Sequence, residues 1–316
     1  MPDRFTAVGH GMATGVVITP TPGTSNLVDD VVDQARQASD LGVGQVWLPQ
    51  QLDVDAIALA AVVGAAVPGL GIGTFVVPVN PRHPLIVASL AQTAQAAAHG
   101  NFSLGLGLGA HDIERQTFGI DPAHTIDRLR EHLTIIRAVF DGDTVDFHGQ
   151  QFTAAPTWPV VVPGGTPVPV YVAAMGPKAL RVTGELADGT LPYLAGPRTI
   201  AEFIRPTITE AAAEAGRPEP RVIAAVPVLV TDDPERGRAA AAAQLALYDT
   251  IPSYQKVVAR EGLTSAADLA LIGAAPDVAR AVQSYRDAGA DDVVLSPLNR
   301  EDPVARQAIW RLAATV

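Results

Sequence analysis

The sequence predicts an α/β fold, the closed (β/α)8 TIM barrel with insertions, and three observations predict it. Short apolar runs suited to buried parallel strands recur eight times along the chain. Most are followed by a stretch with helical periodicity, and alternation of this kind marks a barrel. The length, 316 residues, suits one barrel domain spanning 1–316. The doubly wound open sheet is the structural alternative.

The predicted strands are Gly15–Thr19, Gln45–Leu48, Gly71–Val77, Phe102–Gly107, Val168–Ala173, Gly189–Tyr193, Val222–Val230 and Asp292–Leu295. A helix over Asn26–Leu41 places Leu27, Val31, Ala35, Ala38 and Leu41 on one face. Pro81–His99 is an Ala-rich helix. Asp121 is the expected cap of the next, with Pro122 at its first position and Ile126, Leu129, Leu133, Ile136 and Phe140 facing inward. Met175–Ala187, Arg198–Ala215, Pro276–Ala288 and Pro303–Ala314 follow the same logic. The stretch from Ala56 to Asn80 carries no charge and is long enough to imitate a membrane span. Pro68, Gly69, Gly71 and Gly73 interrupt it, so it reads as a buried helix, a tight turn and a buried strand. Two segments exceed the minimal repeat. They are an insertion at 141–166, with Phe147, His148, Phe152 and Trp158, and one at 245–273, with Tyr248, Ile251, Tyr254 and Leu263. The second reads as a packed cap over the barrel mouth, with a helical excursion or a dimer contact as the alternative.

Composition removes several function classes. The formal net charge of −11, with no dense Lys/Arg run, opposes a nucleic-acid partner. With no cysteine there is no disulfide, thiolate metal site or cysteine nucleophile. The segment Met1 to His10 has no apolar stretch of signal-peptide type, which together with the missing cysteines suits a cytoplasmic enzyme. The seven histidines are scattered, without a zinc-type pair at helical spacing. Neither a Gly-x-Ser-x-Gly elbow nor a Walker loop is present.

In such barrels the active site lies at the C-terminal strand ends. That rule selects Pro49, Gln50 and Gln51 after the second strand, and Thr74, Phe75, Val76, Asn80 and His83 in and after the third. It selects Gly107, Leu108, Gly109, Ala110 and His111 after the fourth, and Ala173, Ala174, Met175, Gly176 and Pro177 at the fifth. Tyr193 and Gly196-Pro197 follow the sixth, and Ser296 and Asn299 the eighth. Two of these spots suit phosphate. The alternating glycines of Leu104–Gly109 leave backbone N–H groups approachable, although tight barrel packing explains such glycines more often than a ligand does. Ala173–Lys178 runs from a strand straight into a helix, whose free N–H groups and dipole favour an anion. A mouth this apolar and rich in glycine suits a large flat cofactor that carries the chemistry itself.

Several blocks resemble the luciferase-like monooxygenase superfamily. They are Leu41-Gly-Val-Gly-Gln-Val-Trp-Leu48, Leu70-Gly-Ile-Gly-Thr-Phe-Val-Val-Pro78 with Arg82-His-Pro84, His99-Gly-Asn-Phe-Ser-Leu-Gly-Leu-Gly107, and Val170-Tyr-Val-Ala-Ala-Met-Gly-Pro-Lys178 with Ala187-Asp-Gly189. Leu191-Pro-Tyr-Leu194, Ala246-Leu-Tyr248, Ile251-Pro-Ser-Tyr254 and Ala288–Leu295 resemble actinobacterial members that use the deazaflavin coenzyme F420. The resemblance implies a bacterial-luciferase-like barrel and a non-proline cis peptide at Phe75–Val76, behind the central cofactor ring. It implies that Gly107 to His111 and Ala174 to Gly176 hold the cofactor tail, with Lys178 neutralising it. Relatives carry an acid or histidine at the end of the second strand, where this chain has Gln50 and Gln51. Glutamine hydrogen-bonds but does not serve as a general acid near neutral pH. His111, His83 and Tyr193 are then the candidate proton donors, unless the substrate needs hydride transfer alone.

The function expected is an F420-dependent oxidoreductase that moves a hydride between the deazaflavin and a small-molecule substrate, with a homodimer as the expected assembly. One alternative is an FMN-dependent monooxygenase using O2 and a partner reductase. The other is a non-catalytic carrier of a cofactor or metabolite.

Overall fold

The computed structural model describes residues 13–109, 111–121 and 123–316. Eight parallel strands form its centre. They are β1 (Thr14–Val17), β2 (Gln45–Leu48), β3 (Gly71–Thr74), β4 (Phe102–Gly107), β5 (Val170–Ala173), β6 (Gly189–Thr190), β7 (Arg221–Val230) and β8 (Asp292–Pro297). Each pairs with the next, β8 pairs with β1, and Arg221↔Gly189 and Val222↔Thr190 join β7 to β6. The ring is therefore closed, and the open-sheet alternative is excluded.

Two apolar layers follow from closure. The lumen is filled by Val17, Trp47, Tyr171, Leu191, Ile223 and Val294, with Trp47 and Tyr171 edge to face at 6.3 Å between ring centroids. The outer layer packs helices on the strands, with Ile57, Val63, Leu129, Leu133, Ile136 and Leu180 fully buried. Trp47 fits because Gly15 and Gly73 stand on the strands beside it. A Cβ on Gly15 would lie 2.9 Å from the indole nitrogen, and one on Gly73 would overlap the ring.

The helices are α1 (Leu27–Asp40), α2 (Ala56–Ala66), α3 (Pro84–Ala97), α4 (His111–Phe118), α5 (Thr125–Asp141), α6 (Pro177–Leu186), α7 (Arg205–Glu214), α8 (Pro234–Leu245), α9 (Pro252–Arg260), α10 (Ala275–Asp287) and α11 (Pro303–Ala313). Asn26 caps α1 and Asp55 caps α2, each side chain accepting two backbone N–H groups. The charge-free stretch is indeed α2, a turn and β3. Among the described residues no helix is long and apolar enough to cross a membrane.

Four expectations are corrected. The helix expected to be capped by Asp121 begins at Thr125, after His124 in a left-handed conformation (φ 65°). Asp121 instead accepts the Ala123 N–H at 3.0 Å, a local turn that competes with a cap, and Pro122 lies outside the described residues. The third strand is split, with Gly71–Thr74 and Val77–Pro78 separated by the cis bond Phe75–Val76. The sixth strand ends at Thr190, because Pro192 has no N–H to donate and Leu194 is left-handed (φ 58°). Only an isolated bridge from Tyr193 to Ala225 continues it. The helix expected from Arg198 starts one residue earlier, at Pro197, and passes through a π-helical turn at Ile200–Ile204 before α7.

The first insertion carries a hairpin, Phe147–His148 against Thr153–Ala154. The second carries 3-10 turns at Tyr248–Thr250 and Ala266–Leu269 around α9. It ends in a short strand, Leu271–Gly273, laid parallel to the last residues of β7.

Candidate active site

Strand register brings the selected segments together at one end of the barrel. Leu48 pairs with Thr74, Pro78 with Gly107, and Gly107 with Ala173. The loops that begin at Pro49, Phe75, Leu108 and Ala174 therefore emerge side by side. Across the mouth, the Tyr193 ring meets Phe75 edge-on at 5.6 Å. Tyr248 packs on Tyr193 at 5.4 Å and Tyr254 on Tyr248 at 4.8 Å, so the second insertion does cover this side of the mouth.

The Phe75–Val76 peptide is cis, as the resemblance implied. Both residues are half-buried and follow Thr74, whose side chain locks β3 to β4. The Thr74 hydroxyl donates to Gly105 O (2.9 Å) and accepts from Gly105 N (2.8 Å). This lock explains the alternating glycines. A Cβ on Gly105 would overlap the Thr74 carbonyl, and one on Gly107 would lie 2.6 Å from the Val76 side chain. At Gly109 (φ 77°) it would overlap the carboxylate of Glu114. The space left by these glycines is thus filled by protein, and the Gly109 corner packs on the Glu114 side chain. Tight packing therefore accounts for the alternating glycines of Leu104–Gly109. Ala110 and the His111 side chain lie outside the described residues; the His111 backbone opens α4.

The end of β5 is different. Gly176 is the N-cap of α6 and is exposed, with no side-chain cap hydrogen bond, and a Cβ there would meet nothing within 4 Å. Pro177 brings no N–H. The first helical bond runs from Leu180 N to Gly176 O (2.9 Å), so the N–H groups of Lys178 and Ala179 point out of the helix end. Lys178 is exposed and forms no ion pair among the described residues. Dipole, free donors and ammonium group coincide where Ala174 and Met175 border the mouth.

The glutamines part company. Gln50 uses its whole amide to hold the β2–α2 loop. Its Nε2 donates to Gln51 O (2.6 Å) and Val54 O (2.8 Å), while Oε1 accepts from Ala56 N (3.0 Å) and Arg82 Nη2 (2.9 Å). Every polar atom of the Gln50 amide is thereby engaged in holding this loop. Gln51 is half-buried, and its amide has no side-chain hydrogen bond among the described residues. His83 is also structural. Its Nδ1 accepts the Leu85 N–H (3.2 Å), capping α3, and its Nε2 reaches Thr153 O (3.0 Å). The acceptor role of Nδ1 assigns the proton to Nε2.

Tyr193 is buried. Burial pushes its phenol above the ordinary range, aided by Tyr248 and opposed by Arg300 and Ser296. It is therefore a neutral hydrogen-bond donor at physiological pH.

Three residues at or behind the mouth escaped the sequence reading. Buried Glu114 accepts from Asn80 Nδ2 (2.6 Å), and Arg128 donates to Asn80 Oδ1 (3.1 Å) while lying over Phe152 (4.7 Å). Arg300 follows β8. All three stand in charged, locally polar stretches that read as solvated surface, so no sequence signal separates them.

Comparison with known proteins adds the following. The family model described as luciferase-like monooxygenase matches residues 10–292. An uncharacterised protein of Mycobacterium tuberculosis is 30% identical over 206 residues, covering 61% of each chain. An F420-dependent glucose-6-phosphate dehydrogenase of Nocardia farcinica is 33% identical over 167 residues, 51% of this chain and 49% of that one. The matched segments thus span between about half and three-fifths of these relatives' lengths. Among solved structures, an F420-dependent secondary alcohol dehydrogenase in complex with an F420-acetone adduct superposes with a TM-score of 0.81 at 19% identity, over 97% of this chain and 98% of that one. That likeness is one of fold.

Proposed function

Because the chain belongs to the luciferase-like monooxygenase family, we propose that it is an F420-dependent oxidoreductase acting by hydride transfer on a small organic substrate. The observation that carries this reading is the open, uncapped start of α6 with exposed Lys178, set beside an aromatic mouth walled by Phe75 and Tyr193. The names of curated relatives that use F420 support the choice of coenzyme.

In this reading the N–H groups of Lys178 and Ala179 and the Lys178 ammonium hold the phosphate of the coenzyme tail. Ala174 and Met175 border it, and Phe75 and Val76 back the ring. The coenzyme, when bound, supplies the hydride donor or acceptor. The protein positions and excludes water, with Tyr248, Tyr254 and the rest of the 245–273 segment as the cover. Tyr193, kept neutral by burial, donates a hydrogen bond to a substrate oxygen. Gln51 is the other polar group free to do so.

Fluorescence titration of the protein with oxidised F420, with FMN in parallel, tests this. Micromolar F420 binding and much weaker FMN binding are expected. The reverse preference would assign the chain to flavin chemistry, and binding of neither would leave a non-catalytic role. Gly176→Asp sharpens the test, because the new carboxylate has room and caps α6. It should leave the fold intact, adding a few tenths of a kcal/mol, while weakening F420 binding at least tenfold. Unchanged F420 affinity in this variant would remove α6 from the site.

A further inference from the structure

At the rim of the mouth, opposite Glu114 and the Gly109 corner, Arg300 follows the end of β8. It is exposed, and its Nε turns back toward the strand end to meet Pro297 O (3.3 Å). Its base is held from below, where the buried Arg306 donates from Nη1 to the Arg300 carbonyl (2.7 Å). The two acidic residues that follow do not neutralise it. The Asp302 carboxylate is engaged by Val304 N (2.8 Å) and Ala305 N (3.3 Å) as the cap of α11, and Glu301 forms no ion pair with it. Five half-buried arginines, Arg82, Arg137, Arg205, Arg217 and Arg221, each hold a carboxylate. Arg300 has no such partner among the described residues, in a chain of net charge −11.

Its field reaches the aromatic wall. The guanidinium opposes the upward push that burial exerts on both the Tyr193 and Tyr248 phenols. The buried Ser296 hydroxyl adjoins the same Tyr193. One side of the mouth thus offers a cation and hydroxyl donors. A guanidinium fork is matched to carboxylate or phosphate oxygens.

We propose that Arg300 receives a negatively charged group of the substrate, so that the ligand class of the mouth is a small organic anion, carboxylate or phosphate. The inference rests on the preceding reading only in taking the mouth ligand to be a substrate.

Calorimetric titration tests it, on protein with and without saturating F420. The probes are pyruvate, inorganic phosphate and the neutral methyl pyruvate. Pyruvate or phosphate should bind saturably, and which of them binds identifies the anionic group. Methyl pyruvate should bind at least tenfold more weakly than pyruvate if the carboxylate is the feature read. Arg300→Gln should weaken the anion at least tenfold, leave the melting temperature unchanged and keep F420 affinity within twofold. Arg300→Lys should recover part of the loss. Anion binding within twofold of wild type in Arg300→Gln, or no anion binding to the wild-type protein in either state, overturns the proposal. A tenfold loss of F420 affinity in that variant also overturns it, because Arg300 would then read the coenzyme. If F420 fails to bind while Arg300-dependent anion binding persists, the coenzyme reading falls and the anion site stands.

Discussion

His132 is fully buried on α5, and neither ring nitrogen has a hydrogen-bond partner among the described residues. Its ring meets Phe152 edge-on at 5.8 Å. Burial lowers its pKa to about 3, with His83 and Arg128 adding to the shift. The unfolded chain would protonate this group near pH 6.5. Between about pH 6.5 and pH 3 the unfolded state therefore binds one more proton than the folded state. The stability contributed by the neutral ring is complete above that window and is lost as pH falls through it, at ~1.4 kcal/mol per pH unit. His132→Leu should flatten the pH dependence of denaturant-measured stability between pH 6 and 4 by about one proton, with little loss at pH 7. An unchanged slope would mean that other groups dominate acid unfolding. Gln50 teaches the complementary lesson. As a residue type at a strand end it read as a hydrogen-bonding partner for substrate, but its four bonds inside the loop are visible only once Val54, Ala56 and Arg82 are brought around it.

The 245–273 segment packs on one side of the mouth through its tyrosines. Its tyrosines reach the barrel through Tyr193, and its fold is held by one carboxylate. Asp249 accepts from Ser265 Oγ (2.9 Å) and Ala266 N (2.7 Å), tying the 3-10 turn at Tyr248–Thr250 to the one at Ala266–Leu269. Glu261, just past α9, accepts the Thr199 N–H (2.5 Å) and pins the segment to the start of the helix after β6. Asp249→Ala should cost about 1.5 kcal/mol and speed amide hydrogen exchange across residues 248–269, leaving the β1–β5 strands protected. Exchange rising equally in the strands would contradict a locally held cover. The segment was legible as a packed cap from its aromatics and prolines. Its anchors were not, since Asp249 and Glu261 resemble any surface acids in the sequence.

Closure of the whole barrel is thin on both sides of β6, where two residue pairs join it to β5 and two to β7. Asp188 reinforces that seam from just before β6. Its carboxylate accepts from Val170 N (2.8 Å) and pairs with Arg137 and Arg217. Asp291 and Asp292 do the same at the start of β8, pairing with Arg205 and Arg221. Asp188→Asn would leave two partly buried arginines without their common counter-charge, at a cost of about 3 kcal/mol. Calorimetry should show a single lowered transition, since the closed ring couples all strands. Two separated transitions would mean that the halves of the barrel melt independently.

From the sequence alone came the eight strands, the alternation with helices, the side of the barrel that carries the mouth, and the family. Those follow from hydrophobic periodicity and from punctuation by proline and glycine, which act locally. Gln45–Leu48 and Phe102–Gly107 coincide with their expected bounds for that reason. Closure, and the fate of individual polar side chains, belonged to the tertiary structure. The glycines of Leu104–Gly109 read more readily as packing than as a ligand cradle, and Thr74, Val76 and Glu114 occupy the space that their missing side chains leave. The open start of α6, the buried phenol of Tyr193 and the unpaired guanidinium of Arg300 are likewise products of long-range placement. Whether a hydrogen bond or a charge is free depends on what the fold packs beside it, and residue order does not encode that in any local pattern.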